Sequence, residues 1–379
     1  MEIIVDGQNI ELVGFQNLDD EINQAFKVLF TIFYNDPDRD FANLVDNLLP
    51  PFEQAMFAFF DRNVSNTLLQ DRFFSNLTLV WKRYFDAGRF GEAQGFWIRI
   101  LHKTREWEQQ AGQRVHKGSA FYFWANTAFL QGEVDKGFFL MHQALEEDVL
   151  TSQQPAPNRP AFMFVTLDFQ DKRQFFYEYV KSLADFFNQF FIQYRFERVS
   201  VLTIEEFRER FLKNPPSIHA VFSFTHSLSR FWSIYILPLY ILESEFAGQY
   251  ELNVIFDMLL VIDESIRSKH PNPDCWRFVE LAEYLATQSG IDVTRQDIIY
   301  AKQQMDASFD QTMSDLLDGV FRFENGNVRS KLGCDLSIVY CLRNHAAHNL
   351  SAFPSIWRRF ESLKQSIFNV LLLTVDVLY

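Results

Sequence analysis

Three kinds of feature are scarce in this 379-residue chain, and each scarcity removes a class of architecture. Glycine occurs only 14 times, too seldom for the many tight turns of a β-sandwich or barrel. Cysteine occurs three times, at Cys275, Cys334 and Cys341, with no Cys-x-x-Cys pair. That excludes a disulfide framework and a zinc ribbon, and it points to a reducing, cytoplasmic setting. Long apolar runs are missing as well. The apolar stretch 367–379 is shorter than the ~20 residues of a membrane span and contains Asp376. The first residues, Met1 to Asp6, lack the basic start and apolar core of an export signal, so no membrane partner is expected. Basic residues are outnumbered 35 to 49, for a net charge of −14, which argues against a protein that coats nucleic acid non-specifically.

What the chain has in abundance is phenylalanine, 43 residues of it. So many rings need helix–helix seams to fill. With 48% hydrophobic and 22% charged residues, the composition is that of a folded chain with a sizeable core. An all-α protein is expected. The exception is a short hairpin over residues 3–13, turning at Asp6-Gly7. Beyond it, apolar residues recur three and four apart through 22–33 and 52–60. The acidic run Asp19-Asp20-Glu21 reads as a helix start.

Residues 79–148 carry an internal duplication. Phe85, Gly88, Ala93, Phe96 and Leu101 align with Phe129, Gly132, Gly137, Leu140 and Leu145, each 44 residues on. Each half reads as helix, glycine turn, helix, like tetratricopeptide hairpins but with a longer period than their 34 residues. Two ordinary hairpins sharing a turn would give the same spacing. Either way the segment is a helical platform, a kind of surface that binds other molecules, so a protein regulator is expected there. Prolines break the chain at 151–160, at Asn214-Pro215-Pro216 and at Pro271-Asn272-Pro273. The expected organisation is therefore a helical region over 1–150, a helical linker region over 151–216 and a helical bundle over 217–379. Bundle helices are expected at 246–267, 276–287, 297–321, 336–348 and 356–379. In the last, Ile356, Phe360, Leu363, Ile367 and Val370 make a seam for packing within a bundle or across a dimer.

Charge is segregated along the chain. Residues 321–364 hold seven Lys/Arg against three acids, a net +4 that leaves −18 for the remainder of the −14 total. Within this basic stretch lies Arg343-Asn344-His345-Ala346-Ala347-His348. Asn344 and His348, four apart, share a helix face, and the long Arg343 side chain can swing toward His348. Cleavage of RNA by its own 2′-hydroxyl needs a group that moves a proton and a fixed positive charge for the phosphorane. A histidine and a guanidinium supply both, so no metal or other cofactor is required.

Over residues 236–379 the sequence resembles the HEPN family, whose signature is Arg, a polar residue, three residues and His near the last helical pair. Arg343, Asn344 and His348 stand at those positions. The resemblance implies a metal-independent endoribonuclease that leaves 2′,3′-cyclic phosphate ends and works as a dimer with two motifs facing each other. It also implies regulation, as in toxins and antiviral effectors of prokaryotes. His348 would transfer the proton, Arg343 stabilise the phosphate and Asn344 orient. Leu350 stands where some relatives carry a Tyr that is adenylylated.

Other features weigh in beside it. His345, Arg358 and Arg359 are candidate RNA contacts, although an exposed helix face explains the arginines equally well. Cys341, His345 and His348 are spaced for a metal or a Cys–His pair, but no further ligands follow, and a buried structural cysteine is the plainer account. A solvated helix end capped by Asn349 would account for the motif itself. The alternative function is a non-catalytic HEPN-fold adaptor that acts through dimerisation and protein or ligand binding.

Overall fold

In the computed structural model, residues 1–151, 156–172, 174–215, 217–236, 245–272, 274–346, 356 and 358–379 are described. The protein is all-α: among these residues the one sheet is a two-stranded hairpin of β1 (Glu2–Val5) and β2 (Gln8–Glu11). Its turn residues Asp6 and Gly7 both have positive φ, 49° and 77°, as a two-residue hairpin turn requires. The chain divides into two compact units, Met1–Met163 and Phe164–Tyr379.

The first unit contains α1 (Asp20–Asn35), α2 (Leu49–Arg62), α3 (Thr67–Asp86), α4 (Phe90–Ala111), α5 (Gly118–Leu130) and α6 (Val134–Thr151). Asp19 caps α1, its carboxylate accepting from the Ile22 N–H at 3.1 Å, which is what the acidic run at 19–21 signals. The rings collect at Phe73 of α3. Phe26 of α1 and Phe52, Phe59 and Phe60 of α2 all lie with centroids 5.2–6.0 Å from it.

The two aligned glycines make the same turn. Gly88 (φ 70°) and Gly132 (φ 76°) are left-handed. In each, the next N–H reaches back to a carbonyl five residues earlier, Arg89 to Tyr84 at 2.9 Å and Glu133 to Ala128 at 2.9 Å, as in a Schellman ending. Gly137 serves close approach instead: a Cβ there would lie 2.8 Å from the Phe129 ring.

Beneath these hairpins sits a buried polar cluster. The His116 ring, wholly buried, lies 3.6 Å from Asp71 and from Asp148, and Arg159 pairs with Asp71 at 3.0 Å. Gly118 leaves room for it, since a Cβ would stand 2.9 Å from the Asp148 carboxylate.

The second unit contains α7 (Tyr177–Glu197), α8 (Ile218–Ile236), α9 (Glu245–Lys269), α10 (Phe278–Ser289), α11 (Arg295–Ala307), α12 (Phe309–Leu317), α13 (Lys331–Ala346) and α14 (Phe360–Leu378). Helix α14 is central, packed by α7, α9, α10 and α13. It is buried on every side from residue 366 to 375. The seam residues Ile356, Phe360, Leu363, Ile367 and Val370 are all buried within this unit, so they are core of the bundle. Within 151–216, expected as a helical linker region, lies α7, whose Phe187 and Phe190 rings have centroids 5.6 and 4.1 Å from that of Phe368 of α14. The break residues 152–155, 216 and 273 lie outside the described residues.

Two helices depart furthest from their expected bounds. The single helix expected over 297–321 is two, broken at Ser308, whose backbone is extended (φ −150°, ψ 81°). Serine competes for local hydrogen bonds and so tolerates such a break. Helix α13 begins five residues before its expected start, because Ser330 caps it, its hydroxyl accepting from the Gly333 N–H.

Candidate active site

Helix α13 carries the Arg-Asn motif, and its rotation is fixed from below. Asp335, fully buried, accepts from Lys331 one turn before it at 2.6 Å and from Asn369 of α14 at 2.8 Å. A buried carboxylate needs both partners, so this bridge locks α13 against α14. Two turns on, half-buried Arg343 extends to α9, where its Nη2 donates to Asp263 Oδ2 at 3.2 Å. The other oxygen of the same carboxylate accepts from Arg267 Nη2. One nearly buried carboxylate thus holds two guanidiniums. The Nε–H groups of Arg343 and Arg267 are buried and have no hydrogen-bond partner among the described residues.

Arg343 and Arg267 line a cavity of about 670 Å³ between α8, α9 and the loop before α10. Asp257, Asp263 and Glu264 also face it, together with His219, His226 and Trp276. The three acids outnumber the two arginines, although Asp257 is taken by Arg230 at 2.5 Å. The lining is therefore mixed in charge rather than a basic groove.

The other motif residues are placed differently. Asn344 turns back on its own helix, its Nδ2 donating to the Tyr340 carbonyl at 2.8 Å. His348 and the side chain of His345 lie outside the described residues. Neither Arg358 nor Arg359 lines the cavity: Arg358 is exposed, and Arg359 pairs with Asp310 of α12 at 3.0 Å. Cys341 is buried, and burial pushes its thiol far up from the ordinary range, the opposite of what a ligand or nucleophile needs.

The local charge excess largely cancels across the fold. Arg329 pairs with Asp297, Arg343 with Asp263 and Arg359 with Asp310, all acids outside 321–364, while Lys331 and Lys364 pair with Asp335 and Glu361 inside it. Counting along the sequence could not register the three acids that folding brings in.

Sequence reasoning passed over four cavity residues that the fold assembles: His219, His226, Arg267 and Trp276. One signal was there, since His219 and His226 are seven apart and so share a helix face. No protein-family model matches the chain, and neither does any curated protein or solved structure.

Proposed function

We propose that this chain is a metal-independent endoribonuclease of HEPN type, a regulated effector or toxin of a prokaryotic defence system that acts as a homodimer on RNA. The observation that carries the reading is Arg343. It is the motif arginine, it stands at the wall of a cavity, and Asp263 holds it there. A guanidinium fixed in that way before substrate arrives is what stabilising a developing phosphorane needs, because no reorganisation is required during reaction. His348 would move the proton between the 2′-hydroxyl and the leaving oxygen. The resemblance supplies the expectation that two motifs meet in a dimer, and the paired hairpins of the first unit are where a regulator would bind.

The test is incubation of end-labelled RNA with purified protein in EDTA, wild type beside His348→Ala. Cleavage by the wild type that the variant has lost supports the nuclease. Equal cleavage by both sinks it.

A second reading, a non-catalytic adaptor, is favoured by one observation. At the end of α7 and just beyond it, Phe196, Val199 and Val201 are 82%, 103% and 77% exposed, and clustered apolar exposure of this kind marks a contact surface. An adaptor keeps its activity in His348→Ala.

A further inference from the structure

Trp276 is 72% exposed, and nothing in the folding of the second unit gains from leaving an indole in water. Its neighbours do the opposite: Cys275 and Phe278 are buried, so the ring is held outward by a loop anchored on both sides. The loop is also tied internally. The Cys275 N–H donates to the Asn272 carbonyl at 3.2 Å, the Asp274 N–H to Asn272 Oδ1 at 3.0 Å, and Tyr284 closes its base by donating to the Lys269 carbonyl at 3.0 Å. The ring stands on the wall of the cavity that Arg343 lines. The Arg267 guanidinium lies over it, 4.8 Å from a ring centroid. Arg267 and Arg343 then share the Asp263 carboxylate. An exposed aromatic, a guanidinium on it and a second guanidinium one carboxylate away form a continuous run from rim to motif.

We infer that Trp276 is a base-stacking platform: an unpaired nucleobase of single-stranded RNA packs on its open surface, with the strand leading on toward the Arg267 and Arg343 guanidiniums. The inference rests on the nuclease reading for the identity of the polymer. The chemistry is specific to single strands, because a base inside a duplex has no free face to offer an indole. It is also tolerant of base identity, since every base has a π-face and the ring offers no hydrogen-bond code. The cation beneath the ring strengthens the platform by holding it in place. Selectivity of this site is therefore for strandedness rather than sequence, and Trp276 is its specificity-determining residue.

The experiment measures binding of a fluorescent 2′-O-methyl RNA oligomer, which lacks the attacking hydroxyl, to the full chain by anisotropy. Wild type, Trp276→Ala and Trp276→Phe are compared, with single-stranded and duplex forms of one sequence. We expect Trp276→Ala to weaken single-strand binding roughly ten- to a hundredfold and Trp276→Phe to recover most of it, as stacking on any aromatic ring would. We expect the duplex to bind weakly to all three. In cleavage of ordinary RNA, Trp276→Ala should raise KM and largely spare kcat. Single-strand affinity unchanged in Trp276→Ala, or no binding by the wild type, overturns the platform whether or not RNA is cut. Binding that depends on Trp276 in a wild type that cuts nothing upholds the platform and sinks the nuclease instead.

Discussion

Asp263 is the residue on which the candidate site turns, because its carboxylate holds both guanidiniums. Asp263→Ala leaves Arg267 and Arg343 facing each other with no anion between them. We expect it to lower stability by about 1–3 kcal/mol, less than a fully buried pair because both arginines keep some contact with water. Cleavage should fall as well, although Asp263 touches no reacting atom. Urea unfolding and a cleavage assay on the same preparation check both effects.

A second residue-scale expectation concerns Asp148 in the first unit. Burial raises its carboxyl to about 6, against the pull of His116 and Arg159 and with the help of Asp71 and Glu147. A carboxyl whose folded pKa exceeds its unfolded one adds stability that is complete below the ordinary carboxylate range and is lost as pH rises through the folded value. Burial also pushes Asp71 up, but bonds from His116 and Ser119 and the charges of His116 and Arg159 outweigh it and leave that carboxyl lowered. Its contribution therefore changes only at lower pH. Relative to Asp148→Asn, the wild type should lose unfolding free energy as pH rises from about 4 to 6. A constant difference across that window contradicts the placement of Asp148.

At the scale of elements, the matched turns at Gly88 and Gly132 make a paired prediction. Gly88→Ala and Gly132→Ala each force a left-handed alanine, so each should cost about 1 kcal/mol, and the two costs should agree. Gly137→Ala should cost on the order of 1–3 kcal/mol, because its methyl would enter the Phe129 ring. Unequal costs at Gly88 and Gly132, read from urea midpoints, would show that the two turns are held differently. Elements were also the most legible level of the sequence. The Asp6-Gly7 hairpin, the Asp19 cap and the apolar periodicity of 246–267 are local signals, each decided by a few adjacent residues. The break at Ser308 and the start at Ser330 were less legible, because serine is weakly placed by propensity and acts through one hydrogen bond whose partner depends on the backbone around it. The residues of the cavity were least legible of all. Arg343 was reachable through its motif, but Asp263, Arg267 and Trp276 lie 67–80 positions away and meet it only through the packing of α9 beside α13.

For the whole molecule, charge sets how RNA can be held. The chain has a net charge of −14, and five of the seven cations in 321–364 are paired with acids. Binding should then show a shallow salt dependence, with log affinity against log salt near a slope of about −1.4 for two phosphate contacts on a single strand. A steep slope would place the RNA on some other, more basic surface. Among the described residues no helix is long and apolar enough to cross a membrane. The dimer expected for a nuclease of this kind must also use a surface other than the Ile356–Val370 seam, which the second unit keeps inside itself. The most direct measurement is the end-group chemistry of RNA treated in EDTA with wild type and Arg343→Ala. The account predicts 2′,3′-cyclic phosphate and 5′-hydroxyl ends from the wild type and almost none from the variant. Undiminished cleavage by Arg343→Ala, or ends bearing a 3′-hydroxyl, would contradict it.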